Sequence, residues 1–386
     1  VGEQSLDDYL KNRPEEIREA KNKGIKIVGY FPGNYVPVEI IHASGALPIC
    51  LMQNGDSASI NASKSLLPEH YCPFAKAQIG EIILKRNPYY KMIDLIIAPI
   101  TCQHLRKVSE ILEFHGDIEI FKLGVPHDYN GDDELAYFND NLYKMKYKLE
   151  ELTGKTINND QIANSINEFN KIRELLRKLS VLRRISPPSL RGSEFIKLNH
   201  ASFLLDSKII IHLLEDIYEN IEKKQPSLEK PKNPRILLMG PNIAVDDYEI
   251  LQLIEKTGSD IVVEEICEGV RDYWQNIAIN GNPIESLAIS YLKDKIPCAF
   301  MWPSTRSRLQ FINKLIDDFK IDGVIWYELL CCEVYDAESY YFANQLEELN
   351  LPMLILESDY IINDFASFKI RIEAFIEMIR GDIDYD

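Results

Sequence analysis

The chain has 386 residues, with 60 Asp and Glu against 43 Lys and Arg, for a formal net charge of −17 and no basic block. That balance excludes a nucleic-acid binder, which needs a basic stripe to neutralise phosphates. No apolar run approaches the roughly 18 residues of a membrane span, and a hydrophobic content of 46% is ample for the cores of two or three domains of roughly 100–200 residues each.

Residues 6–24 read as a polar helix stopped by Gly24, and Ile25–Phe31 as a short strand broken by Pro32-Gly33. Val38–Ser44 has helical spacing and Gly45 is its stop; Leu47–Leu51 is the next strand, which completes a βαβ unit of parallel-sheet type. Residues 52–68, rich in Ser, Asn and Asp, read as loop. Phe74–Leu84 is a helix with Pro73 in its first turn, where proline is tolerated. Ile93–Ala98 is a continuous apolar strand, Leu105–Phe114 a helix and Ile118–Leu123 a strand. From Asp132 to Lys224 the apolar residues recur at i, i+3, i+4, interrupted at Pro187-Pro188, and the Lys and Arg of 171–184 read as a solvated helix face. Gln225–Pro234 is a linker by its Pro and Lys content. A second α/β module follows, with strands at Arg235–Met239, Ile261–Ile266, Gly323–Tyr327 and Pro352–Leu356 and a short strand expected around Cys298. Its helices are Tyr248–Lys256, Arg306–Phe319, the run Asp336–Ala343 and a closing amphipathic helix Phe368–Ile379. The two modules share a layout, so the expected domains are 1–131 (α/β), 132–225 (helical), 226–234 (linker) and 235–386 (α/β).

The polar, acidic start Val1–Asp8 is no signal peptide, so the expected compartment is cytoplasmic, where thiols stay reduced. The seven cysteines, Cys50, Cys72, Cys102, Cys267, Cys298, Cys331 and Cys332, contain no C-x-x-C pair, which leaves zinc-ribbon and thioredoxin-like readings without support. Cys102, Cys267 and Cys332 follow strands, Cys72 opens a helix, and Cys50 and Cys298 fall within or at the end of short strands. The carboxyl ends of parallel strands share one edge of a sheet, where ligands gather. Two such edges facing each other would bring thiols into one cleft, and thiolates select iron–sulfur clusters, zinc or Cu(I). The alternative is inert apolar filling, the usual fate of buried Cys.

Several runs resemble the family of benzoyl-CoA reductase and 2-hydroxyacyl-CoA dehydratase subunits. They are Gly29–Pro32 with Pro37–Pro48, Cys72-Pro73, Thr101-Cys102, Asp322–Val324 with Cys332 and Glu338-Ser339, and Leu351-Pro352 with Leu356–Tyr360. The resemblance covers nearly the whole chain. It implies two Rossmann/flavodoxin-like parallel-sheet α/β domains with a helical segment between them and a [4Fe–4S] cluster in the interdomain cleft, bound by residues matching Cys72, Cys102 and Cys332. It also implies an ATP-hydrolysing iron–sulfur activator as partner; this chain has no G-x-x-x-x-G-K-[ST] run, so ATP would be used by that partner. Where relatives often carry Asp after the cysteine, Gln103 stands here.

The extra Cys50, Cys267 and Cys298 are similar to the double-cubane branch of the family, whose [8Fe–9S] cofactor takes six cysteines from one subunit. Each cubane gives one of its four irons to the bridge and leaves three for thiolates. The resulting expectation is a low-potential reductase of a small, hard-to-reduce substrate, working as a homodimer. The alternatives are a dehydratase subunit with one [4Fe–4S] cluster and a non-catalytic electron carrier. The register of Glu338-Ser339 favours Cys332 over Cys331 as the ligand. His104, Glu268 and Glu338 are the candidate hydrogen-bond and proton donors, beside Gln103 and Glu333; the plainer reading of the carboxylates is solvated or capping. His42 reads as structural.

Overall fold

The computed structural model describes residues 5–53, 55–115, 118–223, 233–360 and 365–381, and of Asp246 only the backbone. The polar start before Ser5 and most of the 226–234 linker lie outside these residues.

The first unit runs α1 (Leu6–Asn22), β1 (Ile27–Tyr30), α2 (Val38–Ala43), β2 (Leu47–Cys50), α3 (Ser57–Ser63), α4 (Pro73–Leu84), β3 (Leu95–Ile100), α5 (Gln103–His115) and β4 (Glu119–Gly124). Its strands form one parallel sheet in the order β2-β1-β3-β4, with Ile27 beside Leu47 and Val28 beside Leu95. Four helices follow: α6 (Asp132–Thr153), α7 (Asn159–Leu182), α8 (Gly192–Ala201) and α9 (Ser207–Glu222). The last unit comprises β5 (Arg235–Met239), α10 (Glu249–Lys256), β6 (Asp260–Glu265), α11 (Val270–Tyr273), α12 (Pro283–Ile289), α13 (Ser304–Phe319), β7 (Gly323–Leu329), α14 (Glu333–Glu348), β8 (Met353–Ser358) and α15 (Phe365–Arg380). Its parallel sheet has the order β6-β5-β7-β8, the same winding as the first.

The central strands are largely apolar because helices cover both faces: every residue of β1, β5 and β7 is buried, Arg235 and Glu328 included. In each sheet the chain leaves the first strand to one side and returns on the other, so a crevice opens between β1 and β3 and between β5 and β7, above their carboxyl ends. The turns that fill these crevices are Phe31–Asn34 and Gly240–Asn242. The first reaches across the domain boundary: Asn34 Nδ2 donates to the carbonyl of Cys267, and next to the turn the Tyr35 hydroxyl accepts the Cys298 N–H at 3.1 Å.

Three expectations are corrected. Residues 57–63 are the helix α3 rather than loop, because Asp56 accepts the N–H groups of Ala58 and Ser59 at 2.8 and 3.0 Å, a capped start, and Ile60 is buried. The segment around Cys298 pairs with no strand; Pro297 withholds a ladder N–H, and the β-bridge nearby joins Trp302 to Asp128. Arg173 of α7 and Arg183 at its C-cap are buried rather than solvated. Arg183 pairs with Glu264 of β6 at 2.7 Å, and Arg173 pairs with Glu39 of α2. The α7 segment thus bridges α2 of the first unit and β6 of the last, and a buried cation requires such a partner.

Candidate metal centre

Five thiols from four separate connections line one cavity between the two sheets: Cys72, Cys102, Cys267, Cys298 and Cys332. All seven cysteines are free. Topology explains the convergence. Cys102 follows β3 and precedes α5; Cys332 follows β7 and precedes α14. Because the two sheets wind alike, these are equivalent positions. Cys72, on the β2–β3 connection, corresponds to Cys298, on the β6–β7 connection. Cys50, the last residue of β2, corresponds to Cys267, just past β6.

Cys72, Cys102 and Cys332 each sit one residue before a helix. The N–H of the residue three further on, Ala75, Leu105 or Tyr335, turns back to the sulfur, at 3.5 Å for Leu105. Helix N-termini favour anions. The Cys332 thiol donates to the Cys72 sulfur; with the His104 imidazole and the Ala75 N–H it brings Cys72 down to about 5, and that hydrogen bond, with burial, holds Cys332 well up. Burial pushes Cys102 up to about 11.

Cys267 and Cys298 lack helix starts and receive side-chain donors instead. The Tyr335 hydroxyl stands 3.6 Å from the Cys267 sulfur and 3.5 Å from that of Cys298. Arg271 Nη2 points at Cys267 Sγ from 3.7 Å, and Arg271 Nη1 donates to the Tyr335 hydroxyl at 2.5 Å. The Cys267 thiol donates to Cys298, so Cys298 lies well below the usual thiol range and Cys267 well above it. The two buried cations behind this pair are held by Glu265, at 3.2 Å from Arg271 and 2.9 Å from Arg308.

Of the remaining candidates, His104 alone lines the cavity. Cys331, in the left-handed region at φ 61°, does not line the cavity. Cys50 lies behind the Phe31–Asn34 turn, in a neighbouring cavity that it shares with Glu268. Burial pushes Glu268 up to about 8, and among the described residues no other residue hydrogen-bonds its carboxylate. His104 lines the cavity, accepts the Cys72 N–H at 3.3 Å and stacks against Tyr71. Glu338 is not in the lining; it pairs with Arg308 and accepts from Ser304 and Thr305. Gln103 and Glu333 are exposed. His42 hydrogen-bonds Ser165 at 3.0 Å. Arg271 and Tyr335 escaped the sequence reading. Their signal is positional, four residues after Cys267 and three after Cys332.

Among the described residues no three His, Cys, Asp or Glu side chains converge on a point that would hold one metal ion. Thiolates that bind different irons of a cluster need not converge so closely. Free thiols, N–H and O–H donors aimed at sulfur, and otherwise largely apolar walls are a donor set that fits an iron–sulfur cluster.

A family model described as 2-hydroxyglutaryl-CoA dehydratase, D-component, matches residues 34–379. The chain is 27% identical over 366 residues to "Putative dehydratase subunit YjiM" of Escherichia coli K12, covering 94% of each protein. It is 24% identical over 332 residues to a benzoyl-CoA reductase subunit of Thauera aromatica, covering 85% of this chain and 84% of that one. It is 22% identical over 368 residues to the beta subunit of (R)-2-hydroxyglutaryl-CoA dehydratase of Acidaminococcus fermentans, covering 94% and 95%.

Proposed function

The chain belongs to the family of the 2-hydroxyglutaryl-CoA dehydratase D-component, and from that premise we propose that it is a low-potential reductase whose thiols hold a double-cubane [8Fe–9S] cluster. The observation that carries the reading is the number of thiols on one cavity. A single cubane accounts for Cys72, Cys102 and Cys332; Cys267 and Cys298 remain, facing the same space. Cys50 is the sixth thiolate by topological equivalence to Cys267, on the other side of the Phe31–Asn34 turn. When bound, the cluster supplies stored electrons at low potential.

The protein's own groups do the rest. Helix N-termini and side-chain donors stabilise the sulfurs, and the largely apolar wall limits water. His104, at the cavity, and Glu268, behind it, are placed to pass protons to a small substrate; Glu338 keeps Arg308 in position. The electron donor is an ATP-hydrolysing iron–sulfur activator protein, and the chain pairs with itself, since one chain carries all six thiols.

Iron and acid-labile sulfide analysis of anaerobically purified protein tests this. About eight irons per chain are expected, falling to about four in Cys267→Ala and Cys298→Ala. About four irons in the wild type, unchanged by those substitutions, would favour the second reading, a dehydratase subunit with one [4Fe–4S] cluster. That reading has its own support in the matched helix starts of Cys72, Cys102 and Cys332.

A further inference from the structure

The two sheets are copies in layout, yet their contributions to the cavity are not. Residue +3 after the equivalent cysteines is Leu105 in one copy and Tyr335 in the other, and both line the cavity. Leu105 offers only its backbone N–H to sulfur. Tyr335 adds a hydroxyl between the sulfurs of Cys267 and Cys298. Arg271 donates to the phenol oxygen, which leaves the phenol proton free to turn toward sulfur. Arg271 is itself held by the carbonyls of Ile266 and Gly240, at 3.0 and 2.9 Å.

We infer that Tyr335, ordered by Arg271, is a redox-positioning residue: it makes the Cys267–Cys298 half of the site the half that keeps an added electron. Hydrogen bonds to cluster sulfurs and nearby positive charge stabilise the reduced, more negative state. This half has a phenol hydroxyl and a guanidinium beside its sulfurs, whereas the other half has the His104 imidazole at Cys72. One electron leaves a low-potential iron–sulfur reductase protein, which is oxidised by one, and enters the bound cluster, which is reduced by one. No covalent bond forms or breaks and no proton moves. The inference rests on the reading above that these thiols hold part of a cluster.

The test is a mediated redox titration of anaerobic holoprotein with titanium(III) citrate, followed by electron paramagnetic resonance, with iron counted in every sample. Tyr335→Phe is expected to keep its iron and, at a fixed potential, to show a roughly tenfold lower ratio of reduced to oxidised cluster, or ~59 mV for one electron. Arg271→Lys, which keeps the charge but loses the fork that orders the phenol, is expected to shift the ratio the same way by less. An unchanged ratio in either iron-replete variant overturns the inference. So does loss of iron from both variants, which would assign the pair a purely structural role. A wild-type count near four irons, indifferent to Cys267→Ala, removes the double-cubane reading first and this inference with it.

Discussion

The two sheets share strand order and crevice position, but they stabilise their edges of the cavity by different means. The N-terminal edge relies mainly on backbone: Cys72 and Cys102 stand at helix starts, with the His104 imidazole beside Cys72. The C-terminal edge adds a buried charge network, Arg271, Arg308, Glu265 and Glu338, with Tyr335 above it. Equivalent topology thus fixes where a thiol emerges, while the side chains behind it decide its electrostatic surroundings. A duplicated scaffold can hold two halves of one site and still make them chemically unequal.

The comparison can be broken most directly at Cys50 and Cys267. If the halves are equivalent in ligation, Cys50→Ala and Cys267→Ala each lower bound iron to about half of the wild-type count. Full iron in Cys50→Ala alone would mean that the N-terminal copy has withdrawn this thiol from the site.

The charge network gives the next largest effect. Arg308→Met leaves Glu265 and Glu338 buried against an apolar side chain, and loss of one partner from a buried pair costs about 3–5 kcal/mol. Denaturant melts should show this as a lower midpoint with an unchanged slope. The same measurement on Lys107→Met, whose partner Glu110 is half-exposed, should show little change.

The crevice turns sharpen the contrast further. Gly33 has φ +124° with open space where a Cβ would sit, whereas Gly240 has φ +147° and the Tyr327 carbonyl oxygen already fills that point. Gly33→Ala therefore carries backbone strain alone, about 1–2 kcal/mol. Gly240→Ala adds a collision with a central strand and costs about 3 kcal/mol or more. Equal losses in thermal melts would mean that β7 yields more readily than its burial implies.

The smallest expected effect is a pH dependence at the domain contact. Burial pushes Asp247 up to about 7, although Tyr327 donates to it. The unfolded chain loses that proton near the ordinary carboxylate value of about 4. Between roughly pH 4 and pH 7 the folded state therefore holds a proton that the unfolded state has released. Stability from this group is fully present below that window and is lost as pH rises through it. Wild type minus Asp247→Asn in melting temperature should fall by a few degrees from pH 5 to pH 8; a difference that stays level would show the carboxylate ionised in the fold.

Much of the fold was legible in the sequence. The apolar runs at Leu95–Ala98 and Val324–Tyr327 read as strands covered on both faces, and the glycine and proline stops bound the units around them. The misreadings share a cause. At residues 57–63 a single capping aspartate outweighed a polar composition, and in the α7 segment two arginines were drawn inside by Glu39 and Glu264, partners far away in the chain.

Local sequence determined the elements, the matching order of the two modules and the appearance of cysteines at strand ends and helix starts, because propensity, capping and periodicity act over a few residues. Only the tertiary structure decided which thiols face one another, that Cys50 stands behind a turn, and that Arg271 and Tyr335 attend the Cys267–Cys298 pair. Those outcomes depend on how two sheets pack across a cleft, and a short stretch of chain carries no information about the groups that will neutralise or desolvate it from the other side.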